Sequence, residues 1–305
     1  MSSTAKSAGL AVVAVLAASL TGACEQPTVA DTSPITIFPT PTPEPTPTPS
    51  AVPTTPVAKP PEPVWIDPSL GVLTSKLYTA GKGPAVRCVL PRPDLTSKAG
   101  MLRYARVLVT CMDKAWAPVV ERSDAYFVAP EVFAYSLRNL SATPECADPP
   151  KEAIAFYHQS GKTGKICFEW EPYLDPDNPV RGLIDFQLTL SHEYGHHVQQ
   201  SVGILTWYYR SQTTTGLLED ERRMELQASC LGAAFLGANN RTFQLTGRRL
   251  AIWQDIVRHD GDDYNQTTFR DHGSGANHAY WTNRAFASID PASCNTFAAP
   301  AKRVS

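Results

Sequence analysis

The sequence predicts an α+β protein, mainly helical, with a small, largely antiparallel sheet and one helix that bears the chemistry. Three observations lead there. Apolar residues recur at helical spacing in several long segments after residue 97. Short strand-like runs, parted by a Gly-containing turn, lie before residue 170. Third, His192-Glu193-Tyr194-Gly195-His196 sets two imidazoles four residues apart, on one face of a helix.

Composition bounds the class. The 305 residues carry a net charge of −2, which gives no electrostatic case for nucleic acid or for an acidic membrane surface as partner. Residues 1–23 read as an export signal. Lys6 supplies a positive start, Ala8 to Leu20 is an apolar stretch too short for a comfortable membrane span, and small Gly22 and Ala23 precede Cys24. That ending resembles a lipobox, although Leu20 lies one position further from the cysteine than usual and Thr21 takes its place. The expectation is an exported lipoprotein anchored to the cell membrane through Cys24; the plainer alternative is ordinary cleavage and a secreted protein. Residues 24–63 read as a disordered tether. Pro alternates with Thr through much of Pro39 to Pro49, a run with nothing to bury that favours extended polyproline II. Residues 64–305 are expected to form one domain with its own core.

The cysteines agree with export. With Cys24 set aside for a lipid, Cys88, Cys111, Cys146, Cys167, Cys230 and Cys294 remain, an even number that suits three disulfides. Sequence alone does not choose among the connectivities. Closeness along the chain suggests Cys88–Cys111, Cys146–Cys167 and Cys230–Cys294. No two cysteines have C-x-x-C spacing, which argues against a cysteine zinc site.

Taken in order, Ser97 to Trp116 reads as a helix, with Met101, Ala105, Leu108, Met112 and Ala115 as its core stripe. Asp124 to Tyr135 looks extended. Ala153–Tyr157 and Lys165–Trp170 are two further strands about the turn Gln159–Gly164. Pro172, Pro176 and Pro179 interrupt the chain before a helix over Val180–Val202. On that helix Ile184, Leu188, Val198 and Val202 share an apolar side, where Ser191 and Gly195 leave room for a close neighbour. Asp185, Thr189, His192, His196 and Gln199 share a polar side. A second long helix, Leu217–Leu236, opens with Glu219, Asp220 and Glu221, which suit a helix N-terminus. Glu225, Ser229 and Gly232 lie on one of its faces. Thr242–Val257 and Ala276–Ser288 complete the helices, and Asp290-Pro291 stops the last.

His192 and His196 with Glu193 between them form the H-E-x-x-H arrangement of zinc peptidases: the imidazoles bind one Zn2+ and Glu193 takes a proton from water. A catalytic zinc usually has three protein ligands. A third histidine six residues after the second is excluded, because Val202 stands there, and Gln199 stands where that pattern has Gly. Asp262 or Asp263 on a downstream loop remain open. Glu225 fits too, 29 residues after His196 and on the next helix. Its plain alternative is a solvated charge in the run Glu221–Glu225.

Three blocks then carry a likeness: His192–Gln199; Glu225–Cys230; and His272-Gly273-Ser274, continuing through Trp281 and Asp290-Pro291 to Cys294–Phe297. Over about residues 180–297 the chain resembles the bacterial neutral zinc metallopeptidase family, and upstream it matches only loosely. The resemblance implies a zincin-like domain with a gluzincin-type site. In it His192, His196 and Glu225 hold one zinc ion and Glu193 is the base. It also supports the Cys230–Cys294 pair. Two positions depart from the pattern. Ser229 stands where Asp is usual, a place from which a carboxylate could orient a ligand imidazole. His278 stands where Arg is usual, near a developing oxyanion.

The function expected is a zinc-dependent peptidase acting on peptide or protein outside the cytoplasmic membrane. His272, His278 or Tyr280 are candidates to stabilise the oxyanion, each with a packing role as its alternative. An edge strand from residues 124–170 is a candidate to bind extended substrate. The rival, motivated by Ser229 and His278, is a zinc-binding lipoprotein that has lost turnover. A structural protein with a chance motif is the third reading.

Overall fold

Helix starts follow their caps. In the computed structural model, which describes residues 68–83, 85–151, 153–161, 163–174, 177–211, 217–264 and 270–305, α1 spans Pro68–Leu73 and α2 spans Lys98–Arg122. Ser97 Oγ accepts from the Gly100 N–H at 3.0 Å and opens α2. Pro179 takes the first position of α3 (Pro179–Ser201), and Asn178 accepts from the Arg181 N–H at 3.2 Å. Then follow α4 (Ile204–Ser211), α5 (Leu217–Ala238), α6 (Asn240–Phe243), α7 (Gly247–His259) and α8 (Gly275–Ser288). The signal, Cys24 and the tether lie outside the described residues. No helix among the described residues is long and apolar enough to cross a membrane.

The structure differs from expectation in several elements. Helix α2 runs past Trp116, through Pro118, because Val119 and Val120 are both buried there. The segment expected as one helix over Thr242–Val257 divides into α6 and α7. Gln244 turns left-handed at φ 53, which lets both Phe243 and Leu245 enter the core. Helix α4 was not anticipated; it buries Ile204, Leu205 and Tyr208.

The sheet is mixed rather than largely antiparallel. Its strands are β1 (Glu131–Tyr135), β2 (Ala155–Ser160) and β3 (Thr163–Glu169), in the order β1-β3-β2. β2 and β3 form a hairpin about Gly161, whose φ of 63 suits a tight turn. β1 pairs in parallel with β3, Val132 opposite Ile166. β2 runs opposite to both neighbours in sequence, so the β1–β2 connection, with its two 3-10 turns, crosses past the place of β3 at one end of the sheet, and β2 itself returns the chain so that β3 pairs in parallel with β1. Of the stretch expected as extended, only Glu131–Tyr135 is strand.

Helix α5 packs against α3 and α8, with Ile184 and Leu190 of α3 and Leu226 and Leu231 of α5 in the core. The α3–α5 crossing is close because both helices present glycine. A Cβ on Gly195 would collide with the backbone of Ala228, and one on Gly232 would stand 2.6 Å from the Ser191 carbonyl oxygen. Three disulfides join Cys88–Cys111, Cys146–Cys167 and Cys230–Cys294, with Cα separations of 5.8, 5.8 and 5.6 Å. The last ties α5 to the turn after α8.

Candidate metal centre

The α3–α5 crossing brings His192, His196 and Glu225 together. Their atoms form a triangle: His192 Nε2 to His196 Nε2 is 3.1 Å, His196 Nε2 to Glu225 Oε2 is 3.1 Å, and His192 Nε2 to Glu225 Oε2 is 3.2 Å. Tetrahedral zinc, with bonds of about 2.0–2.1 Å, holds such donors roughly 3.3 Å apart. Two imidazole nitrogens and a carboxylate oxygen therefore fit zinc in chemistry and in spacing. The polar side of α3 meets α5, and His196 and Gln199 are buried. Asp262 and Asp263 take other partners. Asp262 accepts from the His272 N–H at 3.2 Å and Asp263 from the Gly275 N–H at 2.7 Å. Among the described residues, the donor group containing Asp262 includes Asp271 and His272, not the motif histidines.

Each motif histidine is held through its second nitrogen. His192 Nδ1 lies 2.8 Å from Ser229 Oγ, and Ser229 Oγ lies 3.0 Å from His278 Nε2. His278 Nδ1 donates to the Val257 carbonyl at 2.7 Å, in the last turn of α7, where helix carbonyls lack partners within their own helix. The two departures from the family pattern thus touch each other. His278 is buried behind His192 and does not face the open side of the site. Tyr280 is also engaged elsewhere, under the guanidinium of Arg303 at 4.2 Å. Of the three expected oxyanion donors, His272 alone stands at the centre. Its Nε2 is 3.6 Å from Glu225 Oε2, and its ring stacks on His192 with centroids 6.1 Å apart.

Electrostatics separates the roles. Burial pushes Glu193 up to about 7, and Glu225 adds to this against the pull of His196, His272 and a hydrogen bond from the Tyr157 N–H. A carboxyl that titrates near neutrality suits a general base. Burial lowers His192 to about 4, so its ring is neutral at pH 7. On His196 burial acts in the same sense, but the Glu225 and Glu193 carboxylates outweigh it and raise it to about 9. Burial opposes the charge on Glu225 too, and the histidines outweigh it, holding that carboxyl well below its usual range. Glu225 therefore demands a cation in this spot, which a proton on His196 or a metal ion can supply.

Three residues at the site were given no role by the sequence. Gln199 bonds the His196 ring at 2.9 Å, Gln227 bonds Gln199 at 3.0 Å, and Tyr157 reaches Glu193 from β2. Gln199 alone left a signal, since it lies one turn after His196 on the same face.

The arrangement is that of a candidate metal-binding group with a buried carboxyl beside it. The family model described as "Putative neutral zinc metallopeptidase" matches residues 92–297, well over half of the chain, and the protein belongs to that family. It is also similar to the uncharacterized protein YpfJ of Escherichia coli strain K12 and to YpfJ of Escherichia coli O6:H1. Each is 25% identical over 226 residues, covering 70% of this chain and 75% of the relative. No solved structure matches the chain.

Proposed function

We propose that the protein is a zinc-dependent peptidase of zincin type, in which His192, His196 and Glu225 hold one zinc ion and Glu193 is the general base. The observation that carries this reading is the triangle of 3.1–3.2 Å edges beside a carboxyl raised to about 7. Bound zinc supplies Lewis acidity toward a peptide carbonyl and acidifies water. Glu193 takes the proton of the attacking water and passes it to the leaving amine. The Tyr157 N–H keeps the Glu193 carboxylate aimed. His272 is the donor placed to meet negative charge on the carbonyl oxygen. Burial opposes its charge, but the Asp271 carboxylate, 2.7 Å from Nδ1, together with Glu225 and Asp260 outweighs this and raises the ring to about 10.

Substrate docking follows from the sheet. β2 is an edge strand, and the Tyr157 N–H points away from β3 toward Glu193, so the free edge of β2 runs along the site. An extended peptide added to that edge would lie across the base. The signal-like start and Cys24 support an extracytoplasmic location on a lipid anchor, with secretion as the alternative.

The test compares the purified protein with Glu193→Gln on an unstructured protein substrate, with metal content measured in both. Cleavage by the parent alone, at equal zinc content, supports the peptidase. Zinc in both and cleavage by neither leaves a zinc-binding protein without turnover.

A further inference from the structure

We infer that Gln199 and Gln227 are positioning residues for His196, forming a proton-ordered relay that leaves Nε2 as the one ring nitrogen free to meet a metal. The inference rests on the zinc reading above and deepens it. The far end of the relay sets its direction. A main-chain carbonyl can only accept a hydrogen bond. Gln227 Nε2 lies 3.0 Å from the Cys294 carbonyl oxygen, so that end of the amide is the nitrogen. Its second proton goes to the Tyr78 hydroxyl oxygen at 2.8 Å, and that hydroxyl donates in turn to the Val72 carbonyl at 2.9 Å. The Gln227 oxygen is thereby turned toward Gln199.

Gln199 is fixed in the same way. Its Nε2 donates to the Met224 carbonyl at 2.9 Å and to Gln227 Oε1 at 3.0 Å, which uses both protons. Flipping either amide would set oxygen against oxygen. Gln199 Oε1 therefore faces His196 Nδ1 at 2.9 Å and can only accept from it. Nδ1 must carry a hydrogen, and Nε2, 3.1 Å from Glu225 Oε2, is left for the metal. Gln199 and Gln227 are both at 0% exposure, so no solvent replaces a lost partner. Neither amide touches the open side of the site; each acts through the ring.

The relay also crosses the fold. It starts on α3, passes through α5 and ends on Cys294, whose sulfur is bonded back to Cys230 of α5. The disulfide holds the carbonyl that orients the Gln227 amide.

The test uses the zinc-loaded protein with 15N-labelled histidine, read by long-range 1H–15N correlation beside zinc affinity from chelator competition. The parent should show His196 with its proton on Nδ1 and metal on Nε2. Gln199→Met should weaken zinc binding about 10–100-fold and disturb that Nδ1 signal. Gln227→Met keeps the direct partner but frees its amide to turn. It should act in the same direction, and it serves if Gln199→Met does not fold. A merely structural role would lower the melting temperature of both variants and leave affinity and the Nδ1 signal unchanged, which would overturn the inference. Metal on His196 Nδ1 would do so as well. A folded parent that binds no zinc would instead sink the zinc reading, and the relay with it.

Discussion

At His192 the fate of the site turns on one hydroxyl. Ser229 lacks the charge that a carboxylate would bring, yet its oxygen stands 2.8 Å from His192 Nδ1 and is backed by buried His278 at 3.0 Å. With His278 Nδ1 committed to the Val257 carbonyl, Nε2 is the ring nitrogen left to meet the Ser229 hydroxyl. The Ser229 hydroxyl thereby bridges the His192 and His278 rings. The Asp260 carboxylate, 3.6 Å from His278 Nε2, is beyond direct bonding. Ser229→Ala is expected to lower zinc affinity about 10–100-fold while the fold persists, measured by chelator competition. Unchanged affinity would make the hydroxyl a bystander. The sequence made His192, Glu193 and His196 legible because their geometry is local to one helix. Gln227 was not legible: its partners are 28, 67 and 149 positions away, and a lone Gln on a helix resembles a solvated side chain.

Among elements, α3 is fixed from both sides. Gly195 and Gly232 allow α5 to approach, and on the other side Tyr194 donates to Asp113 of α2 at 2.7 Å. The small residues were readable as a site of close packing, whereas the Asp113 contact joins positions 81 apart and left no pattern. The mixed sheet was equally hidden, since strand-like residues state that a strand exists and not which neighbour it pairs with. Burial raises Asp113 to about 6 from an ordinary 3.8, against the Tyr194 hydrogen bond. The folded chain therefore keeps a proton that the unfolded chain has released, and this contribution to stability is full at low pH and is lost as pH rises through about 4 to 6. Asp113→Asn keeps an acceptor for Tyr194 and cannot ionise. Urea unfolding of parent and variant should show the variant gaining relative stability between pH 4 and pH 7. A difference that does not change with pH would rule out this role for Asp113.

For the whole molecule, the long-range order comes from the three disulfides and from α5, which is in contact with α3 and α8 and carries Glu225, Gln227 and Ser229. Near-neighbour pairing of the cysteines was readable from order along the chain, and the structure contains the same three pairs. Such cross-links belong to an oxidising compartment, in keeping with the export reading. Cys24→Ala should shift the protein from the membrane fraction to the soluble fraction, and unchanged partitioning would exclude lipid attachment there. The zinc reading is narrower: it places one zinc ion at the α3–α5 crossing. Anomalous diffraction at the zinc edge from crystals of the protein tests it directly. One peak per chain, within bonding distance of His192 Nε2, His196 Nε2 and Glu225 Oε2, is the predicted result; a zinc-soaked crystal with no peak there, or with the peak on other residues, would contradict it.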